Sequence, residues 1–496
     1  MIKTSLQIGD VYALQERETE KWFTFQIIQI NKEWAAHVDL DYWSEKMPEE
    51  GDLDKMSYLR LNYYSYNNYI HYRWSLIEFF PSRAKLIGNM PVRPLGECSN
   101  SGPWTYGHEH KWTEKWNLLP KDQVVAYKEA ASERNQTIII GGKEFSKNLN
   151  GSLLDDTLCF VTDYSVFDKL PRLSRIHVTQ EHPQLIPFLE RRYLIRELVW
   201  ENCVREELDL SHTHLEELEI SGENLQTIYL PPSIERVILR GKLSPNLRIN
   251  SPKDGYYLDL RVEMQNDFLP DLGLSRLMNL RLSNIQEFSL QGISSRFPGL
   301  LWLDLTGKPG YIHDIAEIGE LHELETLRMD DLFGFSAEEF PLPNNLPKLN
   351  YLCLESIPAD VGKKIKILYK GNVQNLIVKK LRSDEWLREN LNNPLRRWDG
   401  SEYVPKSKYT KAVALWKDTR LRILKEAKQP EIAMSIVKSI ALDYAEGFNK
   451  LDKRTSFIDT EEREDIMNAF EQILDEAGLS EHKNEIMEVV DENRSW

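Results

Sequence analysis

The amino-acid sequence predicts an α+β chain of several domains: a small β-rich N-terminal domain, a solenoid of repeated units and a C-terminal helical module. The chain has 496 residues, which is more than a single hydrophobic core usually organises. Leucines recur with a fixed period through the middle, and the residues on either side follow other patterns. We place the β-rich domain at 1–125, a connecting segment at 126–150, the solenoid at 151–395 and the helical module at 396–496.

The segment "RLMNLRLSNI" (276–285) shows the repeat most clearly. Its apolar residues are three, two and three positions apart, which fits neither an amphipathic helix nor a simple strand. The pattern returns at 303, 327, 352 and 376, at intervals of 23, 24, 25 and 24 residues counted from 280. A period in the twenties with L-x-x-L-x-L is typical of leucine-rich repeats, in which each L-x-L pair is a short strand that buries two side chains. Such units stack because none of them can bury its apolar side alone.

Upstream of this segment the apolar residues repeat at a shorter spacing. Apolar pairs begin at 208, 218, 228 and 237, nine or ten residues apart, which predicts a compact coil that is extended on both sides. The stretch "LPPSIERVIL" resembles the short repeats of bacterial leucine-rich effector proteins. The ligase members of that family carry a C-x-D motif, and no cysteine here has Asp two residues later; Cys353 has Glu355 at that position.

The sequence pattern of the N-terminal part predicts a β domain. Phe23, Phe25 and Ile27 alternate with polar residues, which predicts a half-buried strand. "IGDVYALQ" near the start and "AKLIGNMPV" (84–92) resemble the Immunity protein 26 family of bacterial polymorphic-toxin systems, in which a G-D-[VI]-[FY] start and a later I-G-x-x-P-[VL] segment bracket the domain. The matching residues are Gly9, Asp10, Val11, Tyr12, Ile87, Gly88, Pro91 and Val92. The resemblance implies an immunity function. The aromatic residues between 58 and 80 are interpreted as core packing or, alternatively, as an exposed recognition patch.

The C-terminal part predicts helices. Ile432, Ile436, Ile440 and Tyr444, with Val437 beside them, form one apolar stripe, and Asp459 with Glu462 has the spacing of a capping box. From Asp459 to the end there are thirteen acidic and three basic residues, a net charge of −10. This acidity indicates either a solvated helix surface or an interface for a basic partner. We expect these helices to cover the last repeat at Val373–Val378.

Residues for catalysis or metal binding are not evident. "HEH" (His108, Glu109, His110) is the one closely spaced histidine pair; two histidines two positions apart on a strand could share a metal, but no third ligand cluster lies nearby in sequence. Gly141-Gly142 is interpreted as a turn between strands, and the common nucleotide-binding and hydrolase motifs do not occur. We therefore predict a protein that is not an enzyme and that has no cofactor and no metal site.

Composition constrains the compartment and the partners. The net charge of −16 argues against nucleic acid as a ligand. No long apolar run and no secretory signal occur, and the four cysteines show no paired spacing, so we expect a cytoplasmic protein without membrane contact.

The residues between the inward leucines are the predicted partner-binding residues. We predict a binding protein, in its specific form an immunity protein that neutralises a toxin by stoichiometric binding. An effector or enzyme with a catalytic N-terminal domain and target-selecting repeats, or a general scaffold, are the alternatives. The partner-binding candidates are Glu217, Glu219, Arg236, Arg281, Trp302, Asp304, Thr326, Arg328 and Tyr351.

Overall fold

The computed structural model describes residues 6–81, 83–96, 98–133, 136–159, 161–429, 433–453 and 456–496. The chain is mixed α and β, with a β-rich N-terminal region and C-terminal helices, as predicted. It divides into two compact units, the first comprising Met1–Arg328 and Glu338–Tyr351, the second Met329–Ala337 and Leu352–Trp496. The domain boundaries placed at 125, 150 and 395 stay predictions.

The first unit begins with a seven-stranded, mainly antiparallel sheet in which β5 and β7 run parallel. Its strands are β1 (Asp10–Gln15), β2 (Trp22–Ile30), β3 (Trp34–Ser44), β4 (Arg60–Leu61), β5 (Tyr69–Leu76), β6 (Lys85–Asn89) and β7 (Cys98–Ser101). The order is β4-β5-β3-β2-β1-β6, with β7 beside β5. The alternation predicted around Phe23 and Phe25 lies in β2, and both rings are fully buried. The prediction that this strand is half-buried was wrong, because the polar residues Thr24 and Gln26 on its other side are fully buried as well.

Two helices and a hairpin follow the sheet. They are α1 (His108–Leu118), α2 (Lys121–Ser132), β8 (Thr137–Ile140) and β9 (Lys143–Ser146). Gly141 and Gly142 have φ values of +58° and +81°, which confirms the predicted turn between strands. Tyr63 is buried, and the ring of Tyr64 packs edge-on against Trp116 at 5.2 Å, so these aromatic residues belong to the core.

Parallel strands form the rest of the first unit. In sequence they are β10 (Ser152–Leu154), β11 (Arg175–Val178), β12 (Glu197–Trp200), β13 (Glu207–Asp209), β14 (Glu217–Ser221), β15 (Thr227–Tyr229), β16 (Arg236–Arg240), β17 (Arg248–Asn250), β18 (Asp259–Glu263), β19 (Asn279–Ser289) and β20 (Trp302–His313). Short helices α3 (Asp155–Leu158), α4 (Leu185–Arg191) and α5 (Ile293–Arg296) lie between some of them.

The strands separate into two parallel sheets. One sheet runs β10-β11-β12-β14-β16-β18-β19-β20, and β13-β15-β17 form another. The nine-to-ten-residue rhythm arises because the chain alternates between these two sheets. Inward side chains align across the longer sheet: Leu218, Val237, Leu260, Leu280 and Leu303 are paired in register, and each is completely buried.

The second unit contains most of β21 (Thr326–Phe333) together with β22 (Tyr351–Glu355) and β23 (Asn375–Lys379), which are neighbouring strands. Helix α6 (Ala359–Tyr369) connects the last two. Strand β23 is half-buried or exposed along its whole length, and Ile377 is 36% exposed. The helical cover predicted over this last strand is therefore incomplete.

Helices complete the second unit: α7 (Asp384–Asn390), α8 (Lys406–Glu426), α9 (Met434–Asp452), α10 (Thr460–Glu476) and α11 (Lys483–Asn493). The predicted capping box of Asp459 and Glu462 is confirmed at the start of α10. In the predicted stripe of α9, Val437, Ile440 and Tyr444 are buried, whereas Ile436 is 48% exposed, so its assignment to the core was wrong; Ile432 lies outside the described residues. Among the described helices, none is long and apolar enough to cross a membrane.

Candidate protein-binding surface

Two rows of side chains lie on the outward side of the longer parallel sheet. Because side chains alternate along a strand, the residues on either side of each buried leucine or valine point away from the core. In the first row, Glu217, Arg236, Asp259, Asn279 and Trp302 occupy paired positions. In the second, Glu219, Ile238, Arg261, Arg281 and Asp304 do the same. We call the charged and aromatic members of these rows the charged face: Glu217, Glu219, Arg236, Asp259, Arg261, Arg281, Trp302 and Asp304.

Asp259 is the centre of the ion pairs on the charged face. Its carboxylate lies 3.2 Å from Nε of Arg236 and 2.8 Å from Nη2 of Arg261. Nε of Arg281 lies 3.4 Å from its other oxygen. Arg236 in turn lies 2.7 Å from Glu217. Since carboxylates and guanidinium groups alternate along Glu217, Arg236 and Asp259 on adjacent strands, these side chains hold one another in fixed positions.

A second carboxylate is enclosed by arginines. Asp304 is only 14% exposed at its side chain and lies 3.6 Å from Nη1 of Arg328. Burial raises the pKa of Asp304 above its usual range, although Arg328, Arg281 and Arg261 act in the opposite direction. The charged face thus contains a poorly hydrated carboxylate that lies near three arginines.

Trp302 is covered by Arg281. The guanidinium carbon of Arg281 lies 5.5 Å from the centre of the indole ring, within the range of a cation–π contact. The indole N–H is buried and has no hydrogen-bond partner among the described residues. Trp302 therefore packs on its neighbours across the sheet.

The predicted partner-binding residues all lie in the first unit, and the structure separates them into groups. Glu217, Glu219, Arg236, Arg281, Trp302 and Asp304 belong to the charged face and are half-buried. Arg328 is exposed and adjoins it through Asp304, and Tyr351 is half-buried. Thr326 is only 8% exposed, so its prediction as a surface residue was wrong: at this position the outward side of the sheet is covered.

Sequence reasoning missed Asp259 and Arg261. They flank Leu260 in the strand "DLRVE", whose buried Leu260 and Val262 have the same spacing as Leu280 and Leu282 in β19. The apolar pair of this strand was visible in the sequence. It was overlooked because it lies between the pairs spaced nine or ten residues apart, which end at 239, and the repeats of 23 to 25 residues, which begin at 280.

The N-terminal region contacts the edge where the parallel strands begin. Lys111 of α1 lies 2.8 Å from Glu235, and Lys115 lies 3.0 Å from Glu235 and 3.7 Å from Glu216. Burial would raise the pKa of Glu235, but the two ammonium groups outweigh it and hold this pKa at about 2. Burial raises the pKa of Glu216 to about 7. These contacts fix α1 at Glu216 and Glu235, the residues that directly precede β14 and β16.

The "HEH" residues lie in the first turn of α1 and therefore lack the strand geometry in which two such histidines could share a metal. His108 is exposed, whereas His110 is 3% exposed and points into the core, since neighbouring helical residues face different directions. In the described parts of the chain, no group of three or more His, Cys, Asp or Glu residues is placed to hold a metal ion.

No protein-family model matches this chain, and no curated protein matches it.

Proposed function

We propose that this chain is a non-enzymatic binding protein whose middle part is a leucine-rich-repeat solenoid and whose charged face contacts a protein partner. The observation that supports the proposal most directly is the register of the charged face above aligned, completely buried leucines. A solenoid presents side chains from many strands as one continuous surface, which is how repeat proteins bind their partners.

The chemistry of the charged face favours a protein over other ligands. Acidic and basic groups are mixed on this surface and alternate along Glu217, Arg236 and Asp259. A nucleic acid requires a mainly positive surface, which these rows and the net charge of −16 do not provide. A protein partner with both signs of charge can match such a pattern, and mismatched partners are rejected by like-charge contacts.

The resemblance of the N-terminal segments to the Immunity protein 26 family supports a more specific proposal. In this form the protein is a cytoplasmic immunity protein that neutralises a toxin by occupying its surface. Since binding alone would carry the activity, one molecule of this chain should neutralise one molecule of toxin, without turnover.

The product of the neighbouring gene is the first partner to test. It should be captured from solution by the full chain, and calorimetric titration should saturate near equal molar amounts. If the product is toxic, its activity should fall in proportion to the added chain. Neutralisation by a small catalytic amount of the chain would contradict the proposal.

The variant Arg281→Ala tests whether the partner binds at the charged face, because it removes a guanidinium group from the middle of that face. We expect it to weaken binding by about tenfold or more, as losses at interface arginines commonly do. Arg248→Ala is the matched control, since Arg248 lies in β17 of the other parallel sheet and its side chain is 58% exposed. Equal affinities for both variants would exclude the charged face as the binding site.

A further inference from the structure

A buried polar cluster lies in the N-terminal region, between the sheet and α1. His37 and Asp39 project from the same side of β3, and Arg73 pairs with His37 from β5. Glu109 and His110 of α1 complete the cluster on the side opposite the sheet, and Arg73 forms an ion pair with Glu109. His37 is 1% exposed and His110 is 3% exposed. Two imidazoles are therefore enclosed where water does not reach them.

The hydrogen bond of His37 defines its protonation. Its Nε2 accepts a hydrogen bond from the backbone N–H of Thr105 at 3.2 Å, so this nitrogen carries no proton. The ring also stacks on Trp104, with ring centres 4.4 Å apart. If His37 were protonated, two N–H groups would face each other, and the contact that holds the segment before α1 would be lost.

His110 is neutral for a related reason. Its Nε2 lies 2.6 Å from the backbone oxygen of Leu40, which can only accept, so Nε2 carries the proton. Nδ1 is left as the atom that would gain a proton, and it is buried without a hydrogen-bond partner among the described residues. The ring lies between Phe23 and Trp43, each 5.4 Å away. A charge gained here would lose its hydration by water.

The surroundings disfavour charge on the two imidazoles overall. His37 faces Arg73 and His71, and burial together with these groups lowers its pKa to about 3. His110 faces the carboxylates of Asp39, Glu109 and Asp41, which favour its charged form, but burial outweighs them and lowers its pKa. Both rings are thus neutral in the folded protein and take up protons when the cluster opens.

Opening of the cluster would also affect the contacts with the parallel strands. The helix that carries Glu109 and His110 on its inner side carries Lys111 and Lys115, the two residues that contact Glu235 and Glu216. Gly107, with φ of +87°, joins this helix to the Trp104–Thr105 segment. One helix of eleven residues therefore carries His110, which takes up a proton in the cluster, and the two lysines that contact Glu235 and Glu216.

We infer that α1 is an acid-sensitive latch: uptake of protons by His37 and His110 releases the helix and, with it, the N-terminal region from the edge of the parallel strands. The latch is closed at neutral pH and opens on acidification, before the helices of the second unit unfold. This inference does not depend on the proposed binding function.

Hydrogen exchange of the full chain, followed by mass spectrometry, tests the latch. Samples are compared in steps from about pH 7.5 to about pH 4, because the unfolded-state pKa of histidine lies within this range. Peptides covering 104–118 report on the latch, and peptides covering Met434–Asp452 serve as an internal reference. We expect the first set to lose protection at a higher pH than the second. Simultaneous loss in both sets would overturn the inference.

Substitutions identify the histidines responsible. In His37→Gln the side-chain oxygen can still accept from Thr105, and in His110→Gln the amide can still donate to Leu40, but neither side chain gains a proton. Each should move the midpoint of opening by about half a pH unit or more towards acid. His108→Gln is the matched control, because His108 is exposed on the same helix. An equal midpoint in all three variants and the wild type would refute the latch.

Ring-proton NMR of the wild-type chain covers the case in which a variant fails to fold at neutral pH. The signals of His37 and His110, assigned by selective labelling, should stay in the neutral form until protection at 104–118 is lost. Titration of both rings near the ordinary histidine pKa of 6.5, with the helix still protected, would show that their protonation does not release it.

Discussion

Asn89 donates a hydrogen bond from Nδ2 to Oδ1 of Asp10 at 3.0 Å. The two residues also face each other across the antiparallel pair β1 and β6. Each belongs to one of the two segments, "IGDVYALQ" and "AKLIGNMPV", that were singled out in the sequence. Gly9 and Met90 extend the contact, because the backbone N–H of Met90 donates to the oxygen of Gly9 at 3.0 Å. Segments that bracket the domain in sequence are therefore direct neighbours in space.

Gly9→Ala should destabilise the protein by more than about 1 kcal/mol, because an added Cβ meets both a strained backbone and close neighbours. Gly9 has φ of +96°, and the new atom would lie 2.7 Å from Oδ1 of Asn89 and 2.8 Å from the oxygen of Met90. Urea unfolding measures the change. Gly51→Ala is the control, since no atom lies within 4 Å of its added Cβ. Equal stabilities of the two variants would contradict this account of Gly9.

Leu303→Ala should cost roughly 2–5 kcal/mol of unfolding free energy, because it leaves a cavity under a packed sheet. Leu303 and Leu352 are both completely buried, as the leucine register predicted. Chemical denaturation provides the measurement, with Leu342→Ala as a control at a leucine that is 57% exposed. A loss below about 1 kcal/mol for Leu303→Ala would mean that its surroundings collapse into the space.

Glu216→Gln should stabilise the protein at alkaline pH. The carboxylate has its pKa raised by burial from 4.5 to about 7, so its contribution to stability is fully present below 4.5 and is lost as the pH rises through 7. Glutamine stays neutral and avoids this loss. Above about pH 8 we expect a gain of about 1–3 kcal/mol, measured by denaturation across pH. Since the advantage comes from avoided ionisation, it should disappear at acidic pH; a gain independent of pH would have another cause.

Arg396→Met should cost about 3–5 kcal/mol, because it leaves the carboxylate of Asp331 buried and unpaired by this arginine. The two side chains lie 2.8 Å apart, with 10% and 2% exposure. In the control Arg397→Met, the lost partner Asp330 is 3.8 Å away and the arginine is 54% exposed, so a loss below about 1 kcal/mol is expected. Thermal unfolding compares the variants. The double variant Arg396→Met/Asp331→Asn removes the unpaired charge and should recover part of this stability, since asparagine tolerates the φ of +56° at position 331. Failure to recover would assign the cost to packing of Arg396.

Local features were predictable where neighbouring residues alone decide them. The capping box of Asp459 and Glu462 depends on four consecutive residues, and the buried stripe of Ile466, Phe470, Ile473 and Leu474 depends on helical spacing. The turn at Gly141-Gly142 was predictable for the same reason. Ile436 and Val437 show the limit: both are apolar and adjacent, and only the packing against other helices places Val437 inside and Ile436 outside.

By itself, the sequence determined which residues of a strand share one side, because the alternation of side chains is a property of the single strand. Only the tertiary structure decided what covers the outward residues. Thr326 and Arg328 share one strand and the same direction, yet Thr326 is buried and Arg328 is exposed. Likewise, His110 became a core residue through contacts with β2 and β3, which lie far from it along the chain. Burial of an outward side chain depends on segments distant in sequence, and no local spacing encodes their position.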